Sequence, residues 1–388
     1  MTQYSTLAIH AGPGPDEATG ALLTPIHQST TFKQDGIGQD REFTYSRTGN
    51  PTVSALEERL GALENALPAT AYATGMAATT TLFLSVLRAG DRVVVSDVVY
   101  GGTVRVLQQV LHSFGVEAEF VDTADLNQLA DALRKPTRLL FLETPANPTL
   151  KLTDIEGAAK LAKAAGALVA VDNTFLTSAL QQPLDLGADL VVYSTTKYIE
   201  GHNSTVGGAL LTRDEELNER IRFVKGTAGT TQAPWESWLT LRGLKTLPLR
   251  LEKHSQNALH VAEYLEKHAQ VAQVYYPYLP SFPQYELAQR QQSSGGGIVS
   301  FELNGGLEAG KQFLSGLKLF TLAENLGAVE SLVTHPATMT HASVPVEQRR
   351  AAGIRDGLIR LSVGLEGEED LIADLDWALK CVLGGVLS

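Results

Sequence analysis

The chain has 388 residues, too many for one ordinary core, so a large domain plus a smaller one is expected. Hydrophobic residues make up 44% and charged residues 19%, the balance of a folded globular protein, and the formal net charge of −12 with no run of Lys or Arg argues against nucleic acid as a partner. No segment approaches 18 uninterrupted apolar residues, the start Met1–Ser5 lacks the basic and apolar pattern of a signal peptide, and Cys381 is the one cysteine, so a cytosolic protein without membrane, disulfide or Cys-rich metal site is expected.

The first 50 residues are rich in Gly, Pro, Thr and Gln without a steady period, and read as an arm or loop. From about 69 to 215, short apolar runs alternate with helical stretches. Arg92–Ser96, Leu139–Leu142, Leu168–Val171 and Leu190–Tyr193 read as buried parallel strands. Thr103–Ser113, Leu126–Leu133 and Asp154–Ala165 read as crossover helices. The sum is an α/β sheet covered on both faces. After Leu247–Pro248 come a long amphipathic stretch, Leu249–His268, then Val271–Tyr276, a Pro-rich segment and the alternating run Ile298–Leu303, which reads as an antiparallel strand. The expected organisation is an arm over 1–50, a large domain over 51–245 and a C-terminal α+β domain over 246–388.

Parallel sheets place ligands beyond the carboxyl ends of their strands. Val169–Val171 runs into Asp172, and Val191–Tyr193 runs into Ser194-Thr195-Thr196-Lys197, 25 residues later; one β-α-β turn brings Asp172 and Lys197 to the same sheet edge. A lysine there can form an imine with an aldehyde, and a nearby carboxylate can keep a pyridine nitrogen protonated. Surface positions after two separate strands are the plain alternative for each residue alone. Thr74-Gly75-Met76 opens a helix and offers the Gly75 and Met76 amides to a phosphate, with hydroxyls from Ser194 and Thr196. Tyr100, before Gly101-Gly102, is placed to stack on a flat ring. The two prolines of Thr144-Pro145-Ala146-Asn147-Pro148 fix a loop that can aim Asn147 at a ring hydroxyl.

Together with Tyr45-Ser46-Arg47-Thr48-Gly49-Asn50-Pro51, Val99-Tyr100-Gly101-Gly102-Thr103, Val171-Asp172-Asn173-Thr174-Phe175, Ser194-Thr195-Thr196-Lys197-Tyr198 and Arg360-Leu361-Ser362-Val363-Gly364, these motifs resemble the Cys/Met-metabolism family of pyridoxal-phosphate (PLP) enzymes, in consistent order from about residue 7 to 380. The resemblance implies the aspartate-aminotransferase-like α/β fold (PLP fold type I), pyridoxal 5′-phosphate as cofactor, an amino-acid substrate, and a homotetramer built from catalytic dimers. It implies that Tyr45 and Arg47 bind phosphate in a neighbouring subunit, that Arg360 pairs with the substrate α-carboxylate, and that Tyr100 stacks and takes part in proton transfer. Gly102 resembles the cystathionine enzymes, whereas methionine γ-lyases usually carry cysteine there; Leu322-Ala323-Glu324 resembles the cystathionine γ-lyases and γ-synthases, in which that glutamate lies near the far amino group, and which β-lyases and methionine γ-lyases usually lack.

The reaction expected is therefore γ-elimination on L-cystathionine giving cysteine, 2-oxobutanoate and ammonia. The alternatives are γ-replacement of an O-acylhomoserine by cysteine, then γ-elimination of methionine or β-elimination of cystathionine, and, outside catalysis, an inactive relative. Three departures from the family pattern bear on the substrate: Thr44 stands where an acidic residue is common, Asn325 replaces a usual serine, and Asn203-Ser204-Thr205 replaces a Ser-Asp pattern. His335 and His341 fit no standard zinc spacing, and no Gly-x-Gly-x-x-Gly turn follows the first strand, against a metal hydrolase and a dinucleotide dehydrogenase.

Overall fold

The structure, a computed structural model, describes residues 2–340, 346–351 and 353–384. The larger sheet is built from β1 (Thr70–Tyr72), β2 (Arg92–Ser96), β3 (Glu117–Val121), β4 (Leu139–Glu143), β5 (Leu168–Asp172), β6 (Leu190–Tyr193) and β7 (Gly208–Thr212) in the order β1-β7-β6-β5-β4-β2-β3. The central strands β3, β2, β4, β5 and β6 are parallel, whereas β7 runs antiparallel to β6 and β1. Their uniform apolarity has a direct cause: Leu140, Leu142, Val169, Val171 and Val191 face one hydrophobic cluster, and Leu139, Phe141, Ala170, Leu190 and Val192 face another on the opposite side.

Two crossover helices, Leu126–Ala132 and Ile155–Ala164, start where Asp125 and Asp154 accept backbone N–H groups of the first turn. The expected helix over 103–113 is α-helical only over Gly101–Arg105; it continues as a π turn over Val106–Val110 and a 3₁₀ turn over Leu111–Phe114. Val106, Leu107 and Leu111 are all buried, a spacing of four and five residues that the wider π turn brings to one side.

The second sheet comprises β8 (Val271–Tyr275), β9 (Ile298–Leu303), β10 (Thr321–Leu322), β11 (Leu332–Thr334) and β12 (Leu358–Ser362), ordered β10-β11-β12-β9-β8 and antiparallel except at β10-β11. Val299, Phe301, Ile359 and Leu361 pack there against Phe313, Leu371 and Leu375. The helix Leu247–Glu266 joins the two sheets: Leu247 and Leu251 lie in the first core, Ala258, Val261 and Leu265 in the second.

The N-terminal segment differs in one respect from a simple arm. Tyr4–His10 is a helix whose Ala8 is fully buried in the large core, with the Tyr4 hydroxyl 2.8 Å from Ser178 Oγ. Tyr4, Leu7 and Ala8 share one helical face, a stripe too short to stand out by period alone. Residues 11–50 form no helix and no strand longer than an isolated bridge such as Thr31–Tyr45. Among the described residues no helix is long and apolar enough to cross a membrane.

Candidate active site

The carboxyl ends of β4, β5 and β6 lie side by side, with Glu143 opposite Asp172 and Asp172 opposite Val192. Lys197 lies four residues beyond the end of β6, so the β-α-β arrangement brings it to the edge that holds Asp172. A cavity of about 560 Å³ opens there, lined by Gly75, Met76, Tyr100, Asn147, Asp172, Ser194, Thr196 and Lys197 from the large sheet and by Glu324, Asn325 and Arg360 from the small one.

Burial pulls the Lys197 ammonium down to about 8, and the charge of Arg360 adds to this. Its Nζ donates to Asn325 Oδ1 at 2.6 Å. Burial raises the Asp172 carboxyl, against a hydrogen bond in which Oδ1 accepts the Thr174 N–H at 3.0 Å. Glu143 is pushed up to about 8 by burial and by the neighbouring Asp172. Its two oxygens accept the backbone N–H groups of Tyr100 (2.7 Å) and Asn147 (3.3 Å), so one carboxyl orders both loops. Neither carboxyl is in an ion pair among the described residues, and both accept backbone N–H groups.

The helix Gly75–Val86 begins on the cavity, with the Thr74 hydroxyl capping Ala77 N–H. The Gly75 and Met76 N–H groups stand in its first turn, where no helix carbonyl reaches them. A Cβ on Gly75 would lie 2.8 Å from Ser194 Cβ, and one on Gly208 2.4 Å from Thr74 O, so glycines let β7 and the Ser194 turn press against this helix start. Thr196 lines the cavity, but its hydroxyl is engaged with Gly207, donating to its carbonyl at 3.2 Å and accepting from its N–H at 3.0 Å.

Arg360 is 3% exposed on β12, and burial brings its guanidinium down to about 10. Nη1 donates to Asn147 Oδ1 at 2.9 Å and Nη2 to the Asn325 carbonyl at 3.1 Å, while Nε has no partner among the described residues. Asn147 thus orients the guanidinium fork, a contact that its loop motif did not foretell. Tyr45 and Arg47 do not line the cavity of their own chain: Tyr45 is 43% exposed, with the Arg47 guanidinium over its ring and Arg47 Nη1 donating to the Gly226 carbonyl. Thr44 likewise sits on this segment, its carbonyl accepting Phe32 N–H at 3.1 Å.

Sequence reasoning gave no role to Glu143 or Arg105. Glu143 carried a signal, a carboxylate ending an otherwise apolar strand; Arg105 lies one helical turn beyond Gly101, lines the cavity, and its side chain makes no hydrogen bond or ion pair among the described residues. His335 spends both ring nitrogens on Thr338 Oγ1 and the Asp356 carbonyl, and His341 lies outside the described residues.

A lysine of lowered pKa, buried carboxyls on the same sheet edge, free amides at a helix start and an aromatic ring on the wall fit a flat, phosphorylated, aldehyde-bearing pyridine. The family described as Cys/Met metabolism PLP-dependent enzyme matches residues 5–380. The chain is 48% identical over 380 residues to a cystathionine β-lyase of Lactococcus lactis, covering 98% of this chain and 100% of that one. It is 48% identical over 375 residues to a cystathionine γ-lyase of Bacillus subtilis, covering 97% and 98%. A crystal structure of cystathionine γ-synthase from Xanthomonas oryzae pv. oryzae in complex with cystathionine superposes with a TM-score of 0.97 at 46% identity, covering 100% of both chains. The chain therefore belongs to the Cys/Met-metabolism family of enzymes, whose cofactor is pyridoxal 5′-phosphate.

Proposed function

We propose that this enzyme cleaves the γ-carbon–sulfur bond of L-cystathionine, consuming one water and releasing cysteine, 2-oxobutanoate and ammonia. The observation that carries this reading is the charge pattern of the cavity wall. Arg360 and Arg105 offer two cations to two carboxylates, and Glu324 offers an anion to the distal ammonium. Methionine has neither a distal carboxylate nor a distal ammonium. Gly102 supports the same reading: a Cβ there would meet Tyr100 Cε1 at 2.5 Å and Met76 Sδ at 2.6 Å, so the cysteine usual in methionine γ-lyases needs both side chains to move.

In this reading Lys197 would hold the cofactor's aldehyde carbon, Asp172 its ring nitrogen and Tyr100 its ring face, while Gly75, Met76, Ser194 and Thr196 would bind its phosphate. When bound, pyridoxal phosphate supplies a conjugated ring that takes up the electron pair left at the α-carbon. The chain's own residues do the rest. Arg360, aimed by Asn147, binds the α-carboxylate and fixes the substrate's Cα. The Lys197 amine, freed by the incoming substrate, removes the α-proton; with a pKa of about 8 it is available both as base and as acid near neutral pH. Once it has passed that proton on, Lys197 takes a β-proton; the C–H electron pair forms the β–γ carbon double bond, the γ-carbon–sulfur pair leaves with the sulfur, and the sulfur takes up a proton to depart as a thiol. We assign Tyr45 and Arg47 to the phosphate of a neighbouring copy in a homotetramer of catalytic dimers, since they lie outside their own cavity on a segment with Leu22 85% and Ile37 106% exposed. The cytosol is the proposed compartment.

One observation favours a second reading, γ-replacement of an O-acylhomoserine by cysteine: the Xanthomonas structure is named as a synthase with cystathionine bound. The deciding experiment offers L-cystathionine, O-succinyl- or O-acetylhomoserine with cysteine, and L-methionine in parallel. Release of 2-oxobutanoate from cystathionine supports the lyase; accumulation of cystathionine supports the synthase; pyruvate from cystathionine marks β-elimination; and consumption of methionine alone refutes the reading of Gly102 and Glu324.

A further inference from the structure

Two of the positions at which this chain departs from the family pattern touch each other. Asn325 Nδ2 donates to Asn203 Oδ1 at 2.6 Å, and Asn203 Nδ2 donates to Glu330 Oε2 at 3.1 Å. At the other end, Asn325 Oδ1 accepts from Lys197 Nζ at 2.6 Å. Four side chains from two segments far apart in sequence thus form one hydrogen-bonded line from the cavity to the surface.

The line has a direction set by chemistry. An amide side chain presents an oxygen acceptor or an N–H donor to its neighbour depending on a half-turn of its end group. An ionised carboxylate only accepts, so Glu330 obliges Asn203 to turn its N–H₂ outward and its oxygen toward Asn325. Asn325 must then give its N–H₂ to Asn203, which leaves its oxygen facing Lys197. Reversing any one member sets donor against donor. The backbone at Asn203 suits an asparagine, since its φ of +55° is left-handed, a conformation that this residue tolerates better than most others bearing a side chain.

We propose that Asn203 is a positioning residue for Lys197: held by Glu330, it locks the Asn325 amide with its oxygen toward the lysine, and the substitutions at 203 and 325 are one coupled device. This rests on the assignment of Lys197 as the reactive lysine, but its test does not need the cofactor.

The test uses the full chain stripped of pyridoxal phosphate and reads the rate at which trinitrobenzenesulfonate labels Lys197, mapped by peptide mass spectrometry across pH, with other lysines as internal reference. The charged and titratable groups around Lys197, namely Arg360, Arg105, Asp172, Glu143, Glu324 and Tyr100, stay unchanged in every variant. Losing an ordered acceptor favours the neutral amine. Asn203→Ala and Glu330→Ala are therefore each expected to raise Lys197 labelling at pH 7 about threefold and to move its profile to lower pH, the scale of coupling within one network. Asn325→Ala should do the same, the Asn203→Ala/Asn325→Ala double variant should add nothing to it, and Glu330→Asp should return toward the parent. Glu330 is exposed, so Glu330→Ala reports even if a change at 203 disturbs folding. Profiles of Asn203→Ala and Glu330→Ala that superpose on the parent, or a double variant equal to the sum of the singles, would overturn the proposal. Failure of the lysine assignment is seen separately, as visible cofactor absorbance persisting in Lys197→Ala.

Discussion

Glu143 and Asp172 stand opposite each other on neighbouring parallel strands, and the carboxyl of Glu143 holds the backbone N–H groups of both Tyr100 and Asn147. Pushed up to about 8 by burial and by Asp172, Glu143 is mostly protonated at neutral pH. Glu143→Gln stays neutral and similar in shape but has one acceptor oxygen in place of two, so it is expected to lose one of the two backbone N–H contacts and about two- to fivefold in activity at pH 7. The difference should grow above pH 8, where Glu143 ionises in the parent and cannot in the variant. Asp172→Asn, which removes the carboxyl proposed to face the ring nitrogen, should cost about 10²- to 10⁴-fold in kcat at every pH. A pH profile in which Glu143→Gln is as damaged at pH 6.5 as Asp172→Asn would contradict this division of roles.

Lys197→Ala removes the side chain proposed as both attachment point and base. Visible absorbance after incubation with pyridoxal phosphate should be lost, and turnover should fall about 10²- to 10⁴-fold or more. Absorbance spectra of the purified variant check the first and product assays the second.

The fork of Arg360 is shared between Asn147, Asn325 and the place where a carboxylate is proposed to bind. Arg360→Lys keeps the charge but loses the planar two-pronged geometry, so kcat/KM should fall about 10- to 100-fold, chiefly through KM. Asn147→Ala should produce a smaller rise in KM. Steady-state kinetics with a saturable substrate separate the two parameters.

Gly102 has no room for a side chain while Tyr100 and Met76 hold their places. Gly102→Cys should displace the Tyr100 ring and cost about 10-fold in kcat/KM for cystathionine, within the usual range for overpacking. Unchanged kinetics would show that Tyr100 yields freely.

Behind the sheet, fully buried Glu64 takes the Tyr193 hydroxyl at 2.5 Å, and burial raises its carboxyl from 4.5 to about 8. The unfolded chain releases this proton near 4.5 and the folded one holds it to about 8, so stability falls as pH rises through that window. Glu64→Gln should flatten the fall in thermal midpoint between about pH 5 and 8.5. A parent midpoint that rises over that range would contradict the assignment.

The parallel strands were legible because burial on both faces writes continuous apolar runs, and the Asp172–Lys197 pair because one β-α-β unit fixes its spacing. Strands β1, β3 and β7 were not singled out: β1 has three residues, β3 carries Glu117 and Glu119, and β7 follows a turn-rich stretch and reverses direction. Contacts such as Arg360 to Asn147 and Asn203 to Glu330 span 213 and 127 residues, and no local period encodes them. The helix Tyr4–His10 lay hidden because a stripe of three apolar residues does not rise above the surrounding loop.

Gly327, at φ +80°, lies so close to the turn after Lys197 that an added Cβ would come within 2.6 Å of Tyr198 N, and two residues on, Val329 N–H bonds the Gly201 carbonyl at 2.9 Å. The segment bearing Glu324 and Asn325 is thereby riveted to the lysine turn although it emerges from the other sheet. A shift of the backbone at 327–329 would therefore be passed straight to the turn that carries Lys197, so the two sheets meet here at a stitched seam and not across a loose cleft.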